Sequence, residues 1–370
     1  MNVLVVFTYN YSINTWVESG TFNKEIETYK LLSDEGLRFT FLTFSEIEPK
    51  LEALNNLNIK VVPIYQKINR NKSKLLNYIK SFLIPLYFKN EFKNIDLIKQ
   101  NQLNGAWVSI IFKFLLKKPL FIRTGYDMYE FSIKENKKPF VKFLYKSLTY
   151  ISLKVCDLYT VSSNSDLRFL EEKFKIKNTN LKIRPNWVKE NITNDISRRD
   201  KNKIVCIGRL EKQKNFDFII SAFANSDFEI NLIGVGSLEK NLKDKAKTVN
   251  TKVNFLGKLT NEEILNLLSD SKFYISPSLY EGNPKSTLEA MAAGCIIFVS
   301  DIPNHTELIK NKKNGFTFSL NEENFINFFE NEIKKNDLTM ISNNAKEISY
   351  TNSIQKLAKL EYQDILNLSI

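Results

Sequence analysis

A chain of 370 residues exceeds what one ordinary hydrophobic core serves and suits two α/β domains. With 43% apolar and 25% charged residues it has the composition of a soluble globular protein. Its three cysteines (Cys156, Cys206 and Cys295) lie far apart, which excludes a disulfide framework or a metal knuckle and favours a reducing compartment.

The net charge of +12 is unevenly placed: residues 1–190 hold 30 Lys/Arg against 18 Asp/Glu, and residues 191–370 hold 23 of each. Within 51–154 the count is 19 against 6, so the first half is expected to meet an anionic partner: a membrane, a diphosphate-linked acceptor or nucleic acid. Met1–Phe7 is too short and lacks the basic flank for a signal peptide. No apolar run approaches the ~18 residues that span a bilayer, so a soluble or peripheral chain is expected.

In chain order, Asn2–Phe7 reads as a strand, followed by a loop to Gly20 and a helix over Phe22–Ser33 that Gly36 ends. Phe39–Phe44, Ile59–Val62, Leu120–Arg123 and Leu158–Val161 read as further strands with helical segments between them. That alternation predicts a parallel, doubly wound sheet. Leu181–Arg184 and Pro185-Asn186-Trp187 close this half, and the polar stretch 191–202 is assigned as the linker. The grammar then restarts with strands at Ile204–Ile207, Ile230–Ile233, Val253–Leu256, Phe273–Ser276 and Cys295–Val299. Helices are expected at Phe216–Ala224, Leu238–Lys247, Asn261–Leu268 and Lys285–Ala293, making a second Rossmann-like domain. The tail from Ser353 to Leu368 has helical apolar spacing and is expected to pack on the outside of a domain.

Tyr280–Gly294 is the most informative stretch. Asn283 can cap a helix with Pro284 at its first position, and Gly294 can close the other end. The first-turn amides of Lys285, Ser286 and Thr287 would then form an anion site at the carboxyl edge of the sheet. Glu281 and Glu289 can accept hydrogen bonds from sugar and ribose hydroxyls, although Glu289 alone fits a solvated helical glutamate as well. A second element, Gly208-Arg209-Leu210-Glu211-Lys212-Gln213-Lys214-Asn215, leaves a strand through Gly208. It sets Arg209 and Lys214 before a helix that Asn215 can cap. Together the two cations can hold a diphosphate; singly, each is one of 53 basic residues. Gly234-Val235-Gly236 lacks the third glycine of a dinucleotide fingerprint, with Glu239 in its place.

Taken together, residues 204–318 resemble the retaining glycosyltransferases of family 4, also called group 1. Beyond the stretches above, the resemblance rests on Leu256-Gly257-Lys258-Leu259, Ser276-Pro277-Ser278, Ser300-Asp301-Ile302-Pro303, Glu307-Leu308-Ile309 and Asn314-Gly315. It implies a GT-B fold, two doubly wound Rossmann-like domains facing across a cleft. An acceptor domain would span residues 1–190, with a C-terminal helix in 350–370 packing back on it, and a donor domain residues 203–349. By the same resemblance Arg209 and Lys214 would grip the donor diphosphate beyond Gly208. Glu281 would contact the donor sugar beside Gly282, with the Asn283–Lys285 backbone helping, and Glu289 would bind ribose. Gly257 and Lys258 would lie near the base, and Gly20 and Thr21 near the diphosphate from the other domain.

The chain departs from the family in two places. Where many relatives carry a His near the reacting sugar, it reads Arg123-Thr124-Gly125-Tyr126-Asp127, so Asp127 and Tyr126 are the expected substitutes. Trp187 stands where Gly often follows Pro-Asn. The one histidine, His305, reads as a surface or supporting residue.

No Asp-x-Asp and no metal-ligand spacing is present, so neither a metal nor another cofactor is expected. Preorganised cations and a helix N-terminus would instead meet the charge of the departing nucleotide diphosphate. Residues 67–154 mix lysines with aromatic and aliphatic residues. They fit either an anionic membrane surface or core-packed helices with solvated lysines. No nucleic-acid-binding module is recognised, so nucleic acid is not expected as a partner. A sugar-nucleotide-binding protein without catalysis remains the alternative.

Overall fold

The computed structural model describes residues 1–175, 180–189, 195–320 and 324–368. It divides into two compact units, Met1–Pro185 with Gln355–Ile370, and Asn186–Ile354.

The first unit is built on seven parallel strands: β1 Asn2–Val6, β2 Arg38–Thr43, β3 Lys60–Pro63, β4 Leu97–Asn101, β5 Leu120–Arg123, β6 Leu158–Val161 and β7 Leu181–Ile183. Their order is β3-β2-β1-β4-β5-β6-β7, with β1 in register with β2 (Val3 to Phe39) and with β4 (Val3 to Leu97). The second unit has six: β8 Asp200–Ile207, β9 Glu229–Ile233, β10 Lys252–Gly257, β11 Ser271–Ser276, β12 Ile296–Ser300 and β13 Phe316–Phe318, in the order β10-β9-β8-β11-β12-β13. Both sheets reverse their winding beside the first strand, between β1 and β4 and between β8 and β11. That is the switch point at which doubly wound sheets open a crevice. Strands β1 and β12 are near-continuous apolar runs because parallel sheets are covered on both faces; Leu4, Val5 and Val6, and Ile296, Ile297 and Phe298, are fully buried.

Several expectations change. The segment before Gly20 holds a short helix, Ile13–Glu18, started by a capping box between Ser12 and Thr15. Strand β4 was not anticipated, because Lys99 and Gln100 interrupt its apolar pattern, yet both are buried in the middle of the sheet. Neither the linker assigned to 191–202 nor a second domain beginning at 203 matches the division. Residues 190–194 lie outside the described residues, but the second unit already starts at Asn186 and β8 at Asp200. The polar stretch is anchored by Arg199, whose buried guanidinium donates to the carbonyls of Leu268, Ser271 and Ala293. The tail helix runs Ile354–Asn367, and Leu338–Tyr350 is a separate helix of the second unit.

The tail packs on the outside of the first unit, with Gln355, Lys356, Lys359 and Gln363 exposed, and its inner face carries two buried carboxylates. Glu361 bridges Lys99 and Arg123 (2.7 Å to the latter), and Asp364 takes Arg184 at 2.7 Å and Lys182 at 3.0 Å.

Candidate functional site

The two segments singled out in the second half leave neighbouring strands at the switch point. Gly208–Asn215 follows β8, and Pro277–Pro284 follows β11. Two hydrogen bonds lace them together: Leu279 N donates to Gln213 O at 2.8 Å, and Gln213 Nε2 to Tyr280 O at 2.9 Å. Arg209, exposed at the rim, donates to Gln213 Oε1 at 3.2 Å.

Lys214 crosses the gap. Its ammonium lies 2.5 Å from Glu281 Oε1, which also accepts from Ser278 Oγ at 2.6 Å. With side-chain exposures of 14% and 8%, this ion pair is partly withdrawn from water and stronger than a surface pair. Gly208 makes room for it, since a Cβ there would meet the Lys214 Cε at 2.8 Å. The Gly-Val-Gly after β9 has a packing role: a Cβ on Gly234 (φ +134°) would stand 1.9 Å from Gly208 O, and one on Gly236 2.4 Å from Leu210 O. These glycines let the Arg209 loop pass at backbone distance.

The helix after β11 runs Lys285–Ala292 with Pro284 in the cap position, and Gly294 (φ +70°) follows its end. Asn283 does not cap it. Its Oδ1 accepts from Asn186 N at 3.0 Å and its carbonyl from Asn186 Nδ2 at 2.8 Å, so it ties the segment to the start of the unit. Asn215 likewise makes no side-chain cap, being itself left-handed at φ 51°. Lys285 lies over the Trp187 ring at 5.4 Å, a packing role for the residue that replaces glycine. Tyr274 OH donates to Ser286 Oγ at 2.9 Å. Glu289 is buried on the second turn, with Asn261 Nδ2 at 3.5 Å from its Oε1. Gly257 ends β10 at φ +63° and gives its carbonyl to Gly234 N at 2.7 Å, with Lys258 exposed beyond it. The carboxyl edge of this one sheet therefore gathers Gly208, Arg209, Lys214, Gly257, Lys258, Glu281, Gly282, Asn283, Pro284, Lys285, Ser286 and Glu289. It sets cations, carboxylates and a helix N-terminus along one sheet edge.

Gly20, Thr21 and Asp127 belong to the first unit. Gly20 (φ +70°) follows the short helix, and a Cβ there would meet open space; Thr21 precedes Phe22–Asp34 and its Oγ1 lies 2.7 Å from Ser19 Oγ. Asp127 is fully buried, and both oxygens are engaged: Oδ1 accepts from Glu130 N at 2.8 Å and Oδ2 from Thr149 Oγ1 at 3.1 Å. It caps the helix Met128–Lys134 and has no surface to offer a sugar, so Asp127 does not take the place of the missing histidine. Burial pushes its pKa up to about 6.

His305 is buried, so of the two expected places it takes the supporting one. Its Nδ1 stands 3.0 Å from Ser300 O and 3.2 Å from Ser300 Oγ, while Ser300 Oγ donates to Ser278 O at 2.6 Å. Burial pulls its pKa down to about 4; Lys214 acts in the same direction and Glu281 against it, so a neutral ring backs the ion pair. Gln213 and Ser278 were given no role of their own in the sequence, and His305 no particular partner. Ser278 and His305 flank the ends of β11 and β12, and that position relative to the sheet edge is the signal that marks them.

Two doubly wound domains, the second gathering charged side chains at its switch point, have the GT-B architecture. An Anabaena HepE structure solved with UDP and glucose superposes over 99% of this chain and 100% of its own, with a TM-score of 0.77 at 16% identity. Residues 188–348 match the family model of glycosyl transferases group 1. An Escherichia coli UDP-Gal:alpha-D-GlcNAc-diphosphoundecaprenol alpha-1,3-galactosyltransferase is 26% identical over 75% of this chain and 77% of its own. A Campylobacter jejuni alpha-1,4-N-acetyl-D-galactosaminyltransferase, named for a diNAcBac-PP-undecaprenol-linked glycan, is 27% identical over 68% and 67%. The protein is a glycosyltransferase of the GT-B fold, and its second unit carries the glycosyl transferases group 1 domain.

Proposed function

We propose that the protein is a retaining, metal-independent enzyme of family 4. It would move a sugar from a nucleoside-diphosphate donor to a lipid-linked glycan in bacterial surface polysaccharide or lipopolysaccharide assembly. The observation that carries the reading is the Lys214–Glu281 pair, held by Ser278 beside Arg209 at the switch point. On donor binding, Lys214 turns from the Glu281 carboxylate to the diphosphate, and Arg209 meets the same group as a planar fork. Glu281, released from the lysine, accepts from a sugar hydroxyl; Glu289 accepts from ribose; the Asn283–Ser286 backbone supports the phosphate side. Gly257 and Lys258 lie toward the base.

In the transfer the acceptor oxygen forms its bond to the anomeric carbon as the bond to the diphosphate oxygen breaks, on the same face of the sugar. A diphosphate oxygen takes the acceptor proton. Lys214 and Arg209 stabilise the developing phosphate charge without reorganisation, a kind of contact worth about 3 kcal/mol of barrier per donor. The undecaprenol-linked acceptors in the relatives' names support a lipid-linked acceptor here. No helix among the described residues is long and apolar enough to cross a membrane. A peripheral place on the inner face of the cytoplasmic membrane, through residues 67–154, suits such a substrate.

The test is a donor panel. The protein is incubated with UDP-, GDP-, ADP- and dTDP-sugars, with and without EDTA, following nucleoside diphosphate release and thermal shift. Release from one donor, unaffected by EDTA and lost in Glu289→Ala, supports the reading. Sensitivity to EDTA refutes metal independence, and Glu281→Ala with unchanged turnover refutes the assignment of the pair.

A further inference from the structure

Two helices of the first unit carry an apolar stripe outward. In Pro139–Val155 Thr149, Ser152 and Leu153 are buried and Leu148 and Val155 pack on the core, yet Phe140 (70% exposed) and Phe143 (64%), with Leu144, Tyr150 and Ile151, face solvent. Spacings of three and four residues put them on a single stripe. A helix of a globular domain presents the opposite face to water. Lys74–Ser81 repeats the pattern: only Ser81 is buried, and Leu75 (67% exposed), Leu76 and Ile79 point outward.

The two stripes belong to one surface. Tyr78 of the second helix packs edge-on against Trp107 at 5.0 Å. Phe82, just past the second helix, stacks on Trp107 at 5.7 Å, and the Trp107 helix, Ala106–Leu116, packs against Pro139–Val155. The sequence around these apolar side chains is basic, with Glu91 taking Lys60 and Lys67, and Glu135 taking Lys137, at its edges. Residues 53–90 and 136–156 contain twelve Lys/Arg and no Asp or Glu. A second copy of the same face would set cation against cation, and an acidic protein would leave the outward phenylalanines without a matching apolar solvent. An anionic bilayer supplies both, head-group phosphates for the lysines and acyl chains for the rings.

We propose that Phe140, Phe143, Leu144, Leu75, Leu76 and Ile79 insert into the interfacial layer of an anionic membrane. Lys142, Lys146, Lys74 and Lys80 then lie at the head groups. The proposal deepens the lipid-linked acceptor reading, giving the enzyme a defined face toward the leaflet that holds its substrate, and its test is separate from donor chemistry.

The test is co-sedimentation with phosphatidylcholine vesicles, alone or with about a third phosphatidylglycerol, an anionic content that gives a strongly negative surface. The full chain is expected to bind only the anionic vesicles and to detach as salt is raised. Phe140→Ser/Phe143→Ser and Leu75→Ser/Ile79→Ser should each lower binding at least about tenfold, since each removes two large apolar side chains from the interface. Both pairs are solvent-exposed, so melting temperature and nucleoside diphosphate affinity in solution should stay as in the wild type. Equal binding to neutral vesicles, or undiminished binding by both variants, overturns the proposal. So does a wild-type dimer that the variants convert to monomer without any vesicle binding. Vesicle binding in a protein that binds no nucleotide supports this surface and refutes the donor site instead.

Discussion

Removing the carboxylate of Glu361 should destabilise the first unit by about 3–5 kcal/mol, the usual cost of stranding a buried charge. Lys99 and Glu361 are 3% and 2% exposed in their side chains, and Arg123 closes the cluster at 2.7 Å. In Glu361→Ala the Lys99 ammonium keeps the rings of Tyr29 and Phe121, at 5.1 and 5.8 Å from their centroids, and the weaker influence of Glu25. Such contacts return about 2 kcal/mol at best. Burial already holds the Lys99 pKa below its ordinary value, with Glu361 as the main opposing influence, so the mutant lysine would shed its proton more readily. Against a total stability of about 5–15 kcal/mol the loss is large, and urea unfolding followed by tryptophan fluorescence reads it directly. The double variant Lys99→Met/Glu361→Leu removes both charges and should recover more than half of the loss. A loss below about 1 kcal/mol in Glu361→Ala, the level of a surface salt bridge, would refute the reasoning. The tail helix would then not be seated on β4 and β5.

Three further predictions follow the same geometry. Lys214→Met should lower turnover roughly a hundredfold or more, while Gln213→Ala, which unlaces the two loops, should weaken donor binding; steady-state kinetics separate the effects. Gly234→Ala places a Cβ 1.9 Å from Gly208 O, whereas Gly257→Ala meets open space. The first should cost more than the ~1 kcal/mol of the second, which carries only the left-handed backbone penalty, and should weaken nucleotide binding as well. The third concerns pH. Burial raises Asp127 to about 6 and Asp166 to about 7, from an ordinary 3.8, so the folded first unit holds protons that the unfolded chain has released. Their contribution to stability is full below that ordinary value and is lost as pH rises through 6 to 7. Each contributes up to ~1.4 kcal/mol per pH unit. His305 acts in the opposite sense in the second unit, where stability falls as pH drops from its ordinary 6.5 toward about 4. Calorimetry between pH 5 and 8 should show Asp166→Asn flattening the decline of the first unit at high pH; an unchanged slope would exclude the buried acid as its source.

The second unit was largely legible in its sequence because each of its signals is local. Gly208, Glu281, Pro284 and Gly294 sit at strand ends and helix ends, where backbone geometry restricts the residue type, and each strand is a short apolar run between such marks. Local signals also located the Arg209 and Lys214 loop and the segment before Lys285. They could not state that Lys214 and Glu281 pair, 67 positions apart, because that contact depends on β8 and β11 being neighbours at the switch point. The capping roles read for Asn215 and Asn283 failed for a related reason. A side chain suited to a local bond took a partner elsewhere in one case, Asn186, and adopted a left-handed backbone in the other.

In the first unit more was decided by tertiary structure. The pattern of β4 is broken by Lys99, which becomes a core residue only because Glu361, 262 positions later, arrives to neutralise it. The apolar stripe of Pro139–Val155 is visible in the sequence as periodicity, but periodicity carries no direction. Whether Phe140 and Phe143 face the core or the solvent was set by how the helix packs on its neighbours. The sequence by itself determined most of the strands and turns and the segments that meet at the carboxyl edge of the second sheet, since these follow from chain-local sterics. Only the folded chain decided which charges meet, which carboxylates are buried and which apolar face is left outward, because those properties belong to pairs of segments rather than to any one of them.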